Sequence, residues 1–215
     1  METNSVSKPC LTDKNPFYAI ALRGKSEILL ASTTLDSESP HHVFKLPKAE
    51  LAFAIHGNIM PHNMSVEEYL CNLETELIGK SVIMALHYVS ERIYPFLKDG
   101  ESISILAAKG LNARFCDIQK ESIITQPLPS LWCSEPLDSV VDFCLCNNDD
   151  IPFSPMDIND MKVFAIHIFD IQRRCYRYKH KLPFVGGRLK FLIIKENGPI
   201  NVNCHLAPTV DYTLY

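Results

Sequence analysis

Apolar and polar positions alternate in blocks from the start of the folded part of the chain. Between Phe17 and Thr34 the sequence reads FYAIALRGKSEILLASTT. The pattern predicts two strands, Phe17–Leu22 and Glu27–Thr33, joined by the tight turn Arg23-Gly24-Lys25-Ser26. Gly24 is expected to supply the positive φ that short hairpin loops use. The second strand carries Ile28, Leu29, Leu30 and Ala31 without a break, which suits a strand covered on both faces. Such a hairpin is expected at the centre of its sheet, with its ends beside any site the fold carries.

A second hairpin is expected at His41–Leu46 and Leu51–Gly57, turning through Pro47-Lys48-Ala49-Glu50. In Leu51-Ala-Phe-Ala-Ile55 small residues alternate with large ones, as in a strand packed close against a neighbour. Ser65-Val-Glu-Glu68 has the form of a capping box. It opens a helix to about Ile78 with Val66, Tyr69, Leu70, Leu73 and Leu77 on one face, ended by Gly79. Ser81 caps a second helix carrying Val82, Ala85, Leu86, Val89 and Ile93, which stops at Pro95. Strands return at Ser102–Ala108, Asn112–Ile118 and Ser122–Thr125, followed by a loop with Pro127, Pro129 and Trp132. A short helix is expected over residues 136–147. Ser154-Pro155 starts a long helix from Met156 to about Tyr178, with Ile158, Met161, Phe164, Ala165, Ile168 and Ile171 on one face. A last hairpin, Gly187–Lys195 and Ile200–Cys204, turns through Glu196-Asn197-Gly198.

Strands, helix pair, strands, helix pair, strands is the order of an α+β chain. We read it as a four-layer αββα sandwich, two antiparallel sheets between helix pairs. Residues 1–15 form an N-terminal extension and residues 16–215 a single domain. Composition agrees with an ordinary globular chain: 47% hydrophobic and 21% charged residues, with a formal charge of −4. That charge offers no bulk attraction for nucleic acid. No apolar run approaches a membrane span, and METNSVSKPCLTDKN lacks the apolar core of a signal peptide. A soluble, intracellular protein is the expectation. The eight cysteines are scattered with no CxxC pair, so reduced structural thiols are expected in place of a disulfide framework or a zinc site.

Four stretches in this order resemble the β subunits of the 20S proteasome, which have the N-terminal-nucleophile (Ntn) hydrolase fold. ALRGKSEILLAST is similar to that family's opening hairpin, where an apolar strand ends in Ala-x-Asp. VFKLPKAELAFAIHGN is similar to its "K-I-F-x-I … L-x-G-x-A-G" hairpin. The helix pair beginning at Ser65 is the third stretch. The fourth is GGRLKFLIIKENGPI, similar to the closing "G-x-x-V-x-I-I-x-K-D-G-I" strand and turn. The resemblance runs from about Asn15 to Leu206. It implies the Ntn type of four-layer sandwich and membership of stacked seven-membered rings with other α- and β-type subunits, in cytoplasm and nucleus, with no nucleic-acid or membrane partner.

Active members of the family begin with a threonine whose hydroxyl attacks and whose free amine serves as base, tuned by an aspartate and a lysine. Here the nucleophile position falls on Asn15, Pro16 or Phe17, and no Gly-Thr bond lies upstream. The aspartate position falls on Thr33 or Thr34. The lysine position falls on His41 or His42, with Lys45 close by. The resemblance therefore implies a subunit that keeps the fold without the chemistry: no catalytic residue, no cofactor and no metal. The contrasting expectation is a stand-alone Ntn-type amidohydrolase, its N-terminal Cys10 or Thr12 freed by cleavage.

Other constellations have plainer explanations. His41, His42, His56 and His62 lack a compact ligand pair such as HxxxH, and read as core or edge histidines. Cys133, Cys144 and Cys146 with His167 have no third group to orient them. Arg173–Lys181 is a basic helix end, suited to the negative end of the dipole and a weak candidate for a subunit contact. Gly186-Gly187 precedes a strand, whereas a phosphate loop opens a helix.

Overall fold

The computed structural model describes residues 19–33, 43–57, 59–119, 122–133, 155–180, 189–195 and 201–205. They form an α+β structure with two antiparallel sheets of five strands each. Sheet A contains β1 (Ala19–Arg23), β2 (Glu27–Thr33), β8 (Leu131–Cys133), β9 (Leu189–Lys195) and β10 (Asn201–His205), in the order β10-β9-β2-β1-β8. Sheet B contains β3 (Val43–Leu46), β4 (Leu51–His56), β5 (Ser102–Lys109), β6 (Asn112–Gln119) and β7 (Ser122–Pro127), paired in chain order.

The expected opening hairpin is present, and β2 is the middle strand of sheet A. Its alternation divides the core. Ile28 and Leu30 face the other sheet, while Leu29 and Ala31 face the opposite way, and all four are fully buried. Burying each of the three large residues is worth about 1.5–3 kcal/mol.

Between the sheets, Ala19 and Ala21 of β1 and Ala52 and Ala54 of β4 belong to one core, so the expected small residues of Leu51–Ile55 face the partner sheet. With only methyl groups there, the backbones of β1 and β4 can approach closely. Phe53, Leu51 and Ile55 point to the outer side of sheet B. They meet α1 (Val66–Asn72), α2 (Glu74–Leu77) and α3 (Val82–Ile93), whose buried residues are those the sequence periodicity marks. On the outer side of sheet A lies α4 (Ile158–His180), with Met161, Ala165, Ile168 and Phe169 buried on it. The layers thus run helices, sheet, sheet, helix. The expected second helix on this side, over residues 136–147, lies outside the described residues.

Several local expectations need correction. The helix begun at Ser65 is interrupted at Leu73 (φ −88°, ψ 1°), so α1 and α2 are separate. Ser65 does accept the Glu68 backbone N–H at 3.1 Å, and Gly79 follows α2 with φ +76°. Ser81 caps α3 by accepting the Met84 N–H at 3.3 Å. The long helix starts at Ile158 and not beside Ser154-Pro155. Asp157 caps it, taking the N–H groups of Asn159 at 2.7 Å and Asp160 at 3.0 Å. A carboxylate answers two orphan first-turn donors, which proline cannot do. Trp132, expected in a loop, lies on β8, which carries the chain from sheet B to the edge of sheet A.

Gly24 is needed for a reason other than the expected positive φ. No residue of its turn has positive φ. A side chain at this position would instead bring a Cβ to 2.7 Å from the Met156 carbonyl and 3.0 Å from Met161 Cε. Glycine here lets the start of α4 lie directly on the β1–β2 turn. Gly24→Ala forces that helix start away and should cost about 1–3 kcal/mol, read as a lower urea midpoint. An unchanged midpoint would show that the approach is not close in solution.

Candidate functional site

The hydrogen bonds of Arg23 identify one end of the sandwich. Its guanidinium donates to the Leu111 carbonyl in the β5–β6 turn and to the Leu128 carbonyl after β7, the latter at 3.5 Å. The β1–β2 turn of sheet A and the β5–β6 turn of sheet B therefore share an end, which is tied shut. The opposite end is where β1 begins, β2 ends, β4 ends and β5 begins.

Polar side chains collect toward that opposite end. The register sets His56 of β4 opposite Ser104 of β5, and Ser104 opposite Asp117 of β6. Directly paired residues share a face. Leu106, Ala54 and Ala113, of the same alternation as this row, belong to the inter-sheet core, so the row faces sheet A. Ser104 donates a short hydrogen bond to Asp117 Oδ1, and His56 is half-buried. On the facing sheet, Ser32 of β2 stands between Ala19 of β1 and Lys190 of β9. Ser32 shares the alternation of Ile28 and Leu30 and is fully buried, and its hydroxyl has no hydrogen-bond partner.

Lys190 extends the site electrostatically to α1. Burial pushes the carboxyl of half-buried Glu67 above its ordinary range, and Lys190 partly offsets this. Partial burial of the thiol, with Glu67, Glu74 and Glu68 around it, raises Cys71 against the opposing pull of Lys190. A raised thiol is mostly protonated at neutral pH, a poor nucleophile. Ser104 also differs from the hydroxyl of a catalytic relay, because its proton goes straight to a carboxylate with no imidazole between.

The positions that the resemblance marks fall unevenly on this end. Thr33 closes β2 opposite Leu189, next to Ser32, while Asn15, Pro16, Phe17, Thr34, His41 and His42 lie outside the described residues. Lys45 is on β3 opposite Ala52, at the exposed margin of the same inter-sheet face. Cys10, Thr12, Cys144, Cys146 and Gly186-Gly187 lie outside the described residues, as do the side chains of Arg173–Lys181. The remaining histidines are apart. His56 ends β4, whereas His62 sits in a turn with φ 51° and packs edge-on against Phe96 with ring centres 4.7 Å apart. Cys133 packs into the core under α4, and His167 is on the exposed side of that helix. Among the described residues no group of three or more His, Cys, Asp or Glu is placed to hold a metal ion. Among them also, no helix is long and apolar enough to cross a membrane.

Ser32, Ser104 and Asp117 went unmarked in the sequence because each is an ordinary polar residue in an apolar strand. Cross-strand register, which one strand's sequence does not contain, is what assembles them. No protein-family model matches this chain, and no curated protein matches it.

A buried hydroxyl without a partner costs about 1–3 kcal/mol. Ser32→Ala removes that cost without opening a cavity larger than one oxygen. It should raise stability by about 1 kcal/mol in urea unfolding. A loss of stability instead would mean that the hydroxyl is bonded in solution.

Proposed function

We propose that this chain is a non-catalytic, structural β-type subunit of the 20S proteasome core particle, with the Ntn type of sandwich. In this reading it works inside stacked seven-membered rings of α- and β-type subunits, shaping the chamber wall and the contacts between rings. Neighbouring subunits supply the threonines, and the particle degrades protein in cytoplasm and nucleus. Among such subunits the third β position is the nearest match, on the ALRGKSEILLA turn and on the spacing from Trp132 through Pro155-Met156-Asp157 to the last helix. The fourth is the next.

The observation that carries the reading is the coincidence of resemblance and placement. The four stretches that look like the family fall, in chain order, on β1–β2, β3–β4, the helices after Ser65, and β9. The opening hairpin sits centrally in one sheet, and the second hairpin faces it from the other.

The chemistry argues for the non-catalytic class. An N-terminal threonine needs a charged neighbourhood to keep its amine basic and its hydroxyl reactive. Thr33 or Thr34, both neutral, stands where active members carry an aspartate, and Asn15, Pro16 and Phe17 offer no hydroxyl or thiol at the nucleophile position. Such a subunit contributes surface, stiffness and shape to the chamber, and no bond-breaking step.

The test is the native mass of the endogenous complex, with the intact mass of this chain measured in the same sample. A particle of many hundreds of kilodaltons that retains residues 2–15 of this chain is the expected result. A small species whose chain begins at Cys10 or Thr12 would sink the proposal and favour a stand-alone amidohydrolase.

A further inference from the structure

The inward-facing positions of the sandwich fall into levels, counted from the end that Arg23 ties. At the first level Ile28 and Ile194 of sheet A have Ala52 and Ala108 on the facing sheet. At the second, Leu30 and Leu192 have Ala54 and Leu106. At the third the chemistry changes in both sheets at once. Sheet A there presents Ala19, Ser32 and Lys190, and sheet B presents His56, Ser104 and Asp117. Solvation of a sheet end accounts for the half-buried members of this level. It does not account for Ser32, which is 0% exposed and whose hydroxyl has no hydrogen-bond partner among the described residues.

A buried hydroxyl without a partner destabilises the fold, and native interiors leave few such groups. Its neighbours define what would satisfy it. Lys190 is its direct cross-strand partner, so the two side chains leave the sheet on one face with Cβ atoms about 4.5–5.5 Å apart. An ammonium beside the hydroxyl repels a cation and favours an anionic oxygen. The positive charge on offer is modest. Lys190 already acts on Glu67 of α1, and Asp117 adds a negative charge at the same level of sheet B. A singly charged group suits this balance better than a doubly charged phosphate. Depth is set by the second level, where Leu30, Leu192 and Leu106 are fully buried and close the way further in.

We propose that Ser32 and Lys190 receive the carboxylate of a small monocarboxylic acid. One oxygen accepts the hydrogen bond of the Ser32 hydroxyl, and the other pairs with the Lys190 ammonium. Strand β4 packs against β1 and β2 across the sandwich, so His56 stands on the facing wall at this level. The rest of the acid lies between Ala19 and that wall, directed away from the apolar core. No bond is made or broken: the carboxylate is held, and the hydroxyl gains the partner it lacks. This inference goes beyond the subunit reading and does not rest on it, because it uses none of the positions by which that reading was made.

Sodium acetate titrated into the purified full-length chain tests it, with sodium chloride holding the ionic strength constant and amide NMR as the readout. The amides of Ser32, Lys190 and His56 should shift together and saturate, with a dissociation constant on the order of 1–10 mM for so small a ligand. Ser32→Ala, expected to fold with undiminished stability, should weaken acetate binding about tenfold. Lys190→Met should weaken it by a similar factor. If Ser32→Ala does not fold, Lys190→Met and the wild-type shifts decide. Shifts that do not saturate, shifts confined to other parts of the chain, phosphate bound as tightly as acetate, or folded variants that bind acetate equally well would each overturn the proposal.

Discussion

Strand β2 is enclosed on four sides. Its backbone is paired to β1 and β9, one face presses on sheet B, and the other lies under α4. A strand in that position must be apolar on both faces and paired along both edges, because water reaches none of its polar groups. The other layers follow from it. The alanines of β1 and β4 let the second sheet come close, and Met161, Ala165 and Ile168 supply the helix that covers the outer face. Ile28 and Leu30 stand in the core common to the two sheets, with Leu106, Trp132, Leu192 and Ile194.

The two ends of this enclosed layer are built differently. At the β1–β2 turn, Arg23 donates to carbonyls of the opposite sheet and Gly24 admits the start of α4, so this end is held by specific contacts. At the other end the apolar packing gives way to Ser32, Lys190, His56, Ser104 and Asp117. Among the described residues the inter-sheet core thus has one tied end and one polar end. In the proposed reading that end keeps polar groups but not the aspartate of active members, since Thr33 or Thr34 stands in its place.

Much of this fold was legible in the sequence wherever periodicity was strong. The hairpins, the buried faces of α3 and α4, and the alternation of small and large residues in β4 all follow from local pattern, and the structure has them. Failures came where a local signal had a stronger competitor. Gly24 looked like a turn glycine, yet what requires it is the Met156 carbonyl, just before a helix far along the chain. Pro155 looked like a helix start, but Asp157 has the acceptor that the first turn needs. Trp132 sat between prolines and glycine-poor loops, and three residues are too few to reveal a strand by alternation. The polar end of the site was least legible of all, because His56, Ser104 and Asp117 are neighbours only through register across three strands.

The account rests on β2 being the most enclosed element of the chain, and amide hydrogen exchange in native conditions tests this strand by strand. Amides of Ile28–Ala31 should exchange only through global unfolding, with opening free energies equal to that from urea denaturation. Those of the α1–α2 segment, interrupted at Leu73, should exchange earlier through local opening. If the amides of β2 exchanged as readily as those of α1, the strand would not be the enclosed centre, and the two-sheet arrangement built on it would be wrong.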